Sequence, residues 1–277
     1  MGTSTGLPTL GGVPWGSARR QLARWDRVST GASTTGDEVT APAQEDWVEQ
    51  AAERCRQSLT DALRDDPDDL AGLRPSAVRA GERLVQALGE LLDGRSPLVG
   101  VPGATAQERQ DRFVAEFVNA VAGTGGLVSD AIARRAARRS AEGLLIEESP
   151  VTAALRTGSG GVRISGELFC TVYRLFFGEY VGEFIRTVIA EGMALAAPLA
   201  LPGDPTGLVA GAVAKQVIQV LPDPCGATTG REPRKGLLAT IAGELLTDVV
   251  DSALGIRKEE APCPPASTPT NTPTGAG

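Results

Sequence analysis

Both tyrosines and four of the six phenylalanines of this chain lie between positions 169 and 184, inside a long apolar run from 167 to 197. Phe169, Tyr173, Phe176, Phe177, Tyr180 and Phe184 recur at steps of three and four, the period of a helix. Aromatic residues make up only 4% of the sequence, so a helix that collects so many of them is predicted to be the centre of the core. The rest of the chain then has to supply elements that wrap around a long helix.

The remaining apolar pattern is helical too. Trp47, Val48, Ala51, Ala52, Cys55, Leu59 and Leu63 form one stripe. Val78, Leu84, Val85, Leu88, Leu91 and Leu92 form a second, and Phe113, Val114, Phe117, Val118 and Val121 a third. The "GTGG" at 123–126 breaks the chain before a further helix over 127–145. Residues 146–165 read as a long loop, with "TGSGG" at 157–161 as its hinge. "LPGDP" at 201–205 is a turn signal. Helices over 206–221 and 235–255 follow, the latter with Leu237, Leu238, Ile241, Leu245, Val249 and Leu254 inward and Glu244, Asp248 and Asp251 outward. Gly207 and Gly211 have the GxxxG spacing that lets helices pack closely. The reading is an all-α fold: a single helical domain of about seven to eight helices over 44–256. It is flanked by a flexible N-terminal region, 1–43, holding an amphipathic helix near 17–28, and by a Pro/Thr-rich disordered tail, 257–277.

The function classes are narrowed mainly by one absence. The sequence contains no histidine, which removes Ser-His-Asp and Cys-His nucleophile schemes, histidine acid–base catalysis and His-ligated metals. Cys55, Cys170, Cys225 and Cys263 lie far apart without a CxxC. They are read as reduced thiols in a cytoplasmic protein, with no metal site and no cofactor. No run is apolar enough for a signal peptide or a spanning helix. The net charge of −7 argues against nucleic acid as a partner. The Ala-, Gly- and Arg-heavy vocabulary is that of a GC-rich bacterial genome.

Several short motifs resolve to structural readings. "DDPDD" at 65–69 imitates a Mg²⁺-binding pattern, but Pro67 interrupts it and Asp68 and Asp69 read as a helix start. "TGSGG" lacks the frame of a phosphate loop. Arg134, Arg135, Arg138 and Arg139 form a wide solvated face paired with nearby acids. Glu179, Glu183 and Arg186 are the one polar stripe on the long apolar helix. They form either a solvent-facing or structural ion-pair stripe or, if they face a cavity, a ligand site.

The one positive feature is "PWGSARRQLARWDRV", 14–28. As a helix, with Ser17 as its N-cap, it places Trp15, Ala18, Leu22 and Trp25 within an arc of about 80°. Arg20, Arg24 and Arg27 fall in another arc, with Arg19 beside it. Residues 1–28 hold four arginines against one aspartate, +3, so the overall −7 leaves −10 on the remainder. A helix this short is marginal in water by itself and needs a surface for its apolar edge, either the acidic body of its own chain or a separate molecule. The expectation is therefore a helical interaction or scaffold protein, without a catalytic residue. It docks to a protein partner or to itself through Trp15, Leu22 and Trp25, steered by Arg20, Arg24 and Arg27. The alternatives are a membrane-active helical protein, using the same segment on an anionic surface or a hairpin over 185–221, and a histidine-free enzyme built on Glu179, Glu183 and Arg186.

Overall fold

A computed structural model describes residues 16, 17, 20, 41–65, 72–100, 102–194, 205–229 and 236–256. Among these the fold is all-α, with no strand. Residues 29–40 of the region expected to be flexible, the tail at 257–277 and the aspartates at 66–69 fall outside the described residues.

The order is α1 (Ala41–Asp65), α2 (Leu73–Asp93), α3 (Ala106–Ala122), α4 (Val128–Leu144), α5 (Pro150–Thr157), α6 (Gly166–Ala194), α7 (Pro205–Val220), α8 (Pro224–Thr228), α9 (Leu237–Glu244) and α10 (Leu246–Ala253). Local chemistry sets most of the ends. Thr105 Oγ1 accepts from Glu108 N at 3.1 Å, and the Glu108 carboxylate accepts from Thr105 N at 3.4 Å, so a capping box opens α3. Helix α2 stops at Gly94, whose φ of 70° lets Arg95 N reach back to Glu90 O at 2.9 Å.

Three boundaries differ from the sequence reading. Helix α1 begins at Ala41, inside the region expected to be flexible through residue 43. The loop expected over 146–165 contains α5: Ser149 Oγ accepts from Val151 N, Pro150 occupies the first turn and Gly158, at φ 73°, ends it. Eight residues are too few to show a period, so only the Ser-Pro start and Gly stop marked this helix. The helix expected over 235–255 is broken at Leu245 into α9 and α10. The break changes the phase of the stripe. Leu246 is buried, and Asp251, expected to face outward, is half-buried with its carboxylate gripped by Arg74 at 2.7 and 3.1 Å.

Helix α6 is the centre of the core, as the aromatic pattern requires. All six of its aromatic rings are buried, and neighbouring rings meet edge-on or stacked at centroid distances of 5.1–6.2 Å. Helices α2, α4, α7, α8 and α10 pack around it, α1 lies on the outer side of α7, and α3 sits against α2, α4 and α5. The two buried tyrosines fix their neighbours: Tyr173 Oη donates to Ala242 O and Tyr180 Oη to Leu73 O, each at 3.0 Å. Desolvation raises the pKa of both phenols, so both keep their protons for these bonds.

The closest helix contact uses glycines other than the expected pair. A Cβ on Gly178 or Gly182 would lie 2.8 Å from the carbonyl oxygens of Ala214 and Ala210, so these two positions let α6 and α7 touch backbone to backbone. Gly211, expected to do this, is exposed, with nothing within 4 Å of the place a Cβ would take. The expectation of reduced thiols fails for Cys170 and Cys225, holds for Cys55 and falls outside the described residues for Cys263. Cys170 on α6 is joined to Cys225 on α8 across 55 residues of sequence. The two cysteines meet only because α8 folds back onto α6, which no spacing in the sequence announces. The argument from reduced thiols to the cytoplasm loses its premise with that bond. Cys55 is free and buried, its pKa pushed up to about 12 by desolvation. No helix among the described residues is long and apolar enough to cross a membrane.

Candidate functional site

The polar stripe on α6 points at α4. Glu183 is 7% exposed, and its two carboxylate oxygens lie 3.5 Å from Arg135 Nη1 and 3.7 Å from Arg186 Nη1. Arg135 also stands 3.5 Å from Thr187 Oγ1, whose hydroxyl donates to Glu183 O at 2.7 Å. A carboxylate so far from water needs partners, and it has one arginine from the facing helix and one from its own. Glu179 lies one turn away and is half-buried. Its carboxyl pKa is raised, first by desolvation and then by the charges of Glu183 and Glu142, against the lowering pull of Arg139. The stripe thus faces a helix rather than open solvent, and the structure joins Glu179, Glu183 and Arg186 into an α4–α6 charge cluster.

The arginines of α4 complete that cluster and satisfy the expectation that acids neighbour them. Arg138 and Arg139 reach Glu142 at 3.3 and 3.2 Å, and Arg134 donates to Gly125 O at 2.6 Å. Sequence reasoning passed over Arg109, whose guanidinium donates to the carbonyls of Leu155, Gly103 and Arg156 at 2.5–2.8 Å. It ties α3 to the end of α5. Nothing in a single sequence distinguishes such an arginine from a surface one, because its acceptors are backbone atoms far along the chain. Among the described residues, Cys170, Asp223 and Cys225 are the one grouping of metal-ligand types. The two sulfurs are bonded to each other and the Asp223 carboxylate accepts from Cys225 N at 3.0 Å, so the group serves as a staple and a cap.

A separate concavity lies between α1 and α7. It is a groove of about 840 Å³ with Glu45, Val48 and Glu49 on one wall and Leu208, Gly211 and Ala212 on the other, ending near Lys215 and Gln219. Glu45, Glu49 and Lys215 are exposed, and Leu208 leaves 46% of its surface in water. The α1 wall therefore carries two acids, and the α7 wall is apolar from Gly207 to Ala212 and polar beyond it, at Lys215, Gln216 and Gln219. None of these residues belongs to the α4–α6 cluster.

Of the six residues expected to contact a partner, only Arg20 is described. It is helical and exposed, and Gly16 and Ser17 are helical too. Since Gly16 is already helical, Ser17 is not the N-cap. Trp15, Leu22, Trp25, Arg24 and Arg27 lie outside the described residues. No protein-family model, curated protein or solved structure matches this chain.

Proposed function

We propose that the chain is a helical interaction protein, with segment 14–28 as its docking element and a protein partner, or a second copy of itself, as its target. The observation that carries this reading is the composition of that segment. It concentrates two of the three tryptophans and a charge of +3 at one end of a chain that is otherwise −10. Burying a large apolar side chain is worth about 1.5–3 kcal/mol, so Trp15, Leu22 and Trp25 together are a sufficient anchor once a surface is offered. The arginines add long-range attraction to an acidic surface and set which surfaces are approached. The helical placement of Gly16, Ser17 and Arg20 agrees with the secondary structure this reading requires.

The test compares the full chain with a version lacking residues 1–28. Both are tagged, exposed to extract of the source cell and examined for co-eluting proteins, with sedimentation giving the mass of each. The reading expects at least one protein, or a second copy, to be held by the full chain and lost with the deletion, and lost again in Trp15→Ala/Trp25→Ala. Identical co-eluting sets and identical masses would overturn it.

A further inference from the structure

We infer that the groove between α1 and α7 is the resting place of residues 14–28 of the same chain, so that the docking element is held in reserve until a partner draws it out. This rests on the reading of 14–28 as a docking element and adds its regulation. Size is the first argument. The groove follows α7 from Gly207 to Gln219, twelve helical steps or about 18 Å, and a helical edge from Trp15 to Trp25 is about 15 Å long.

The surfaces also correspond. The wall on α7 offers the exposed Leu208, the half-buried Ala212 and Gly211, where a Cβ would meet nothing, with Lys215, Gln216 and Gln219 beyond them. The open space beside Gly211 leaves room for an indole ring against the backbone. The wall on α1 presents Glu45 and Glu49. In a helical segment Arg19 lies about 40° round from Trp15, at the margin of the apolar edge, where it would meet that acidic wall as the indoles enter. Arg20, Arg24 and Arg27 stay on the outer face, free to attract a second acidic surface.

Connectivity favours the chain's own segment over that of a second molecule. Twelve residues, 29–40, separate the segment from the first residue of α1. That length spans at most about 40 Å, and Glu45 stands only about 6 Å further along α1. The groove therefore opens where the connection ends, and a tether of this kind gives an effective concentration on the order of millimolar. A second copy would have to compete against that. A partner that takes the segment must likewise displace it from the groove, which makes partner binding weaker and more selective than the bare segment would give.

Hydrogen exchange on the full-length chain tests this. The amides of 14–28 are expected to exchange about tenfold or more slowly than in an unstructured peptide, with the same slowing at low and high protein concentration. Gly211→Leu adds bulk to the groove at an exposed position without meeting the core. It is expected to abolish that protection while leaving α2 and α6 unchanged. Glu45→Lys/Glu49→Lys is expected to reduce it, as is high salt. Full-rate exchange of 14–28 in the unaltered chain would overturn the inference, as would protection that survives Gly211→Leu. Protection that grows with concentration alongside a doubled mass would overturn it in favour of a second copy. Failure of the partner reading shows up separately: protection of 14–28 with unchanged co-eluting proteins on deletion keeps the groove and removes the partner.

Discussion

Helices α6 and α7 touch each other backbone to backbone, and both are rich in apolar residues, yet they end up in opposite situations. Helix α6 is packed by five other helices and exposes only a few positions, such as Thr171 and Glu191. Phe169, Phe176, Phe177 and Phe184 vanish from solvent, and its one buried acid, Glu183, finds arginines within the protein. Helix α7 gives one side to α6, meets α1 and α10 on part of the rest, and leaves Leu208, Gly211, Lys215 and Val220 in water. Hydropathy does not separate the two. Neighbours do: burial is set by how many elements reach a helix. An apolar helix served by too few neighbours keeps a face for something else. That difference is why the groove on α7, and not the charge cluster on α6, is the surface read here as a docking site.

Truncation on each helix tests the contrast most strongly. Phe176→Ala should cost about 3–5 kcal/mol in urea unfolding, the penalty for a fully buried ring with closely packed neighbours. Val220→Ala, on α7 outside the groove, should cost about 0.5 kcal/mol or less, as at other surface positions. If the two losses are equal, α7 is covered in solution and the contrast is wrong. Breaking the link between α6 and α8 is the next largest change. Cys170→Ser/Cys225→Ser frees a 55-residue loop and should remove about 2–4 kcal/mol. Thermal unfolding with and without reductant gives an independent measure. A reductant that leaves the melting temperature in place would show that the bond is absent in solution.

The same contrast explains which features could be read in advance. The central helix announced itself because aromatic residues at helical spacing are scarce and sit together, so its burial followed from composition and period alone. The ion-pair character of Glu179, Glu183 and Arg186 was half legible. Their spacing put them on one side of α6, but nothing in the segment could show that Arg135 and Arg139 of α4 stand opposite. The Gly207/Gly211 expectation went astray for a related reason. GxxxG reports an ability to pack closely, and here Gly178 and Gly182, on the partner helix, supply it. Cys170–Cys225, the Arg109 clamp and the two walls of the α1–α7 groove are contacts between distant parts of the chain. Their geometry is created by the fold, and no local pattern encodes it.

Smaller effects sharpen the account of α6 as a hub. Tyr180→Phe removes the donor to Leu73 O and leaves that buried carbonyl, at the start of α2, without the phenol's proton. The expected loss is about 1 kcal/mol. Tyr173→Phe should behave alike through Ala242 O. The two sites tie α6 to different helices, so the double variant should lose the sum to within about 0.5 kcal/mol. A clear excess over the sum would mean that α2 and α9, which are themselves in contact, move together when either tie is cut.

The finest test concerns the acid that the α4–α6 contact half-buries. Glu179 has its carboxyl pKa raised in the folded chain, chiefly by desolvation, so the folded state binds this proton more tightly than the unfolded state does. By linkage, its contribution favours folding at low pH and is lost as pH rises through the ordinary carboxyl range and on to the folded value. At pH 7 the charged side chain therefore opposes folding. Glu179→Gln, which keeps the shape and removes the charge, should stabilise the protein at pH 7. The gain should shrink as pH falls and vanish below the ordinary carboxyl range, where both side chains are neutral. Denaturant midpoints of the two proteins measured from pH 3 to pH 8 would show it. A variant less stable than the parent at pH 7 would mean that Arg139 outweighs desolvation, and that Glu179 belongs with Glu183 as a paired charge rather than as the strained member of the cluster.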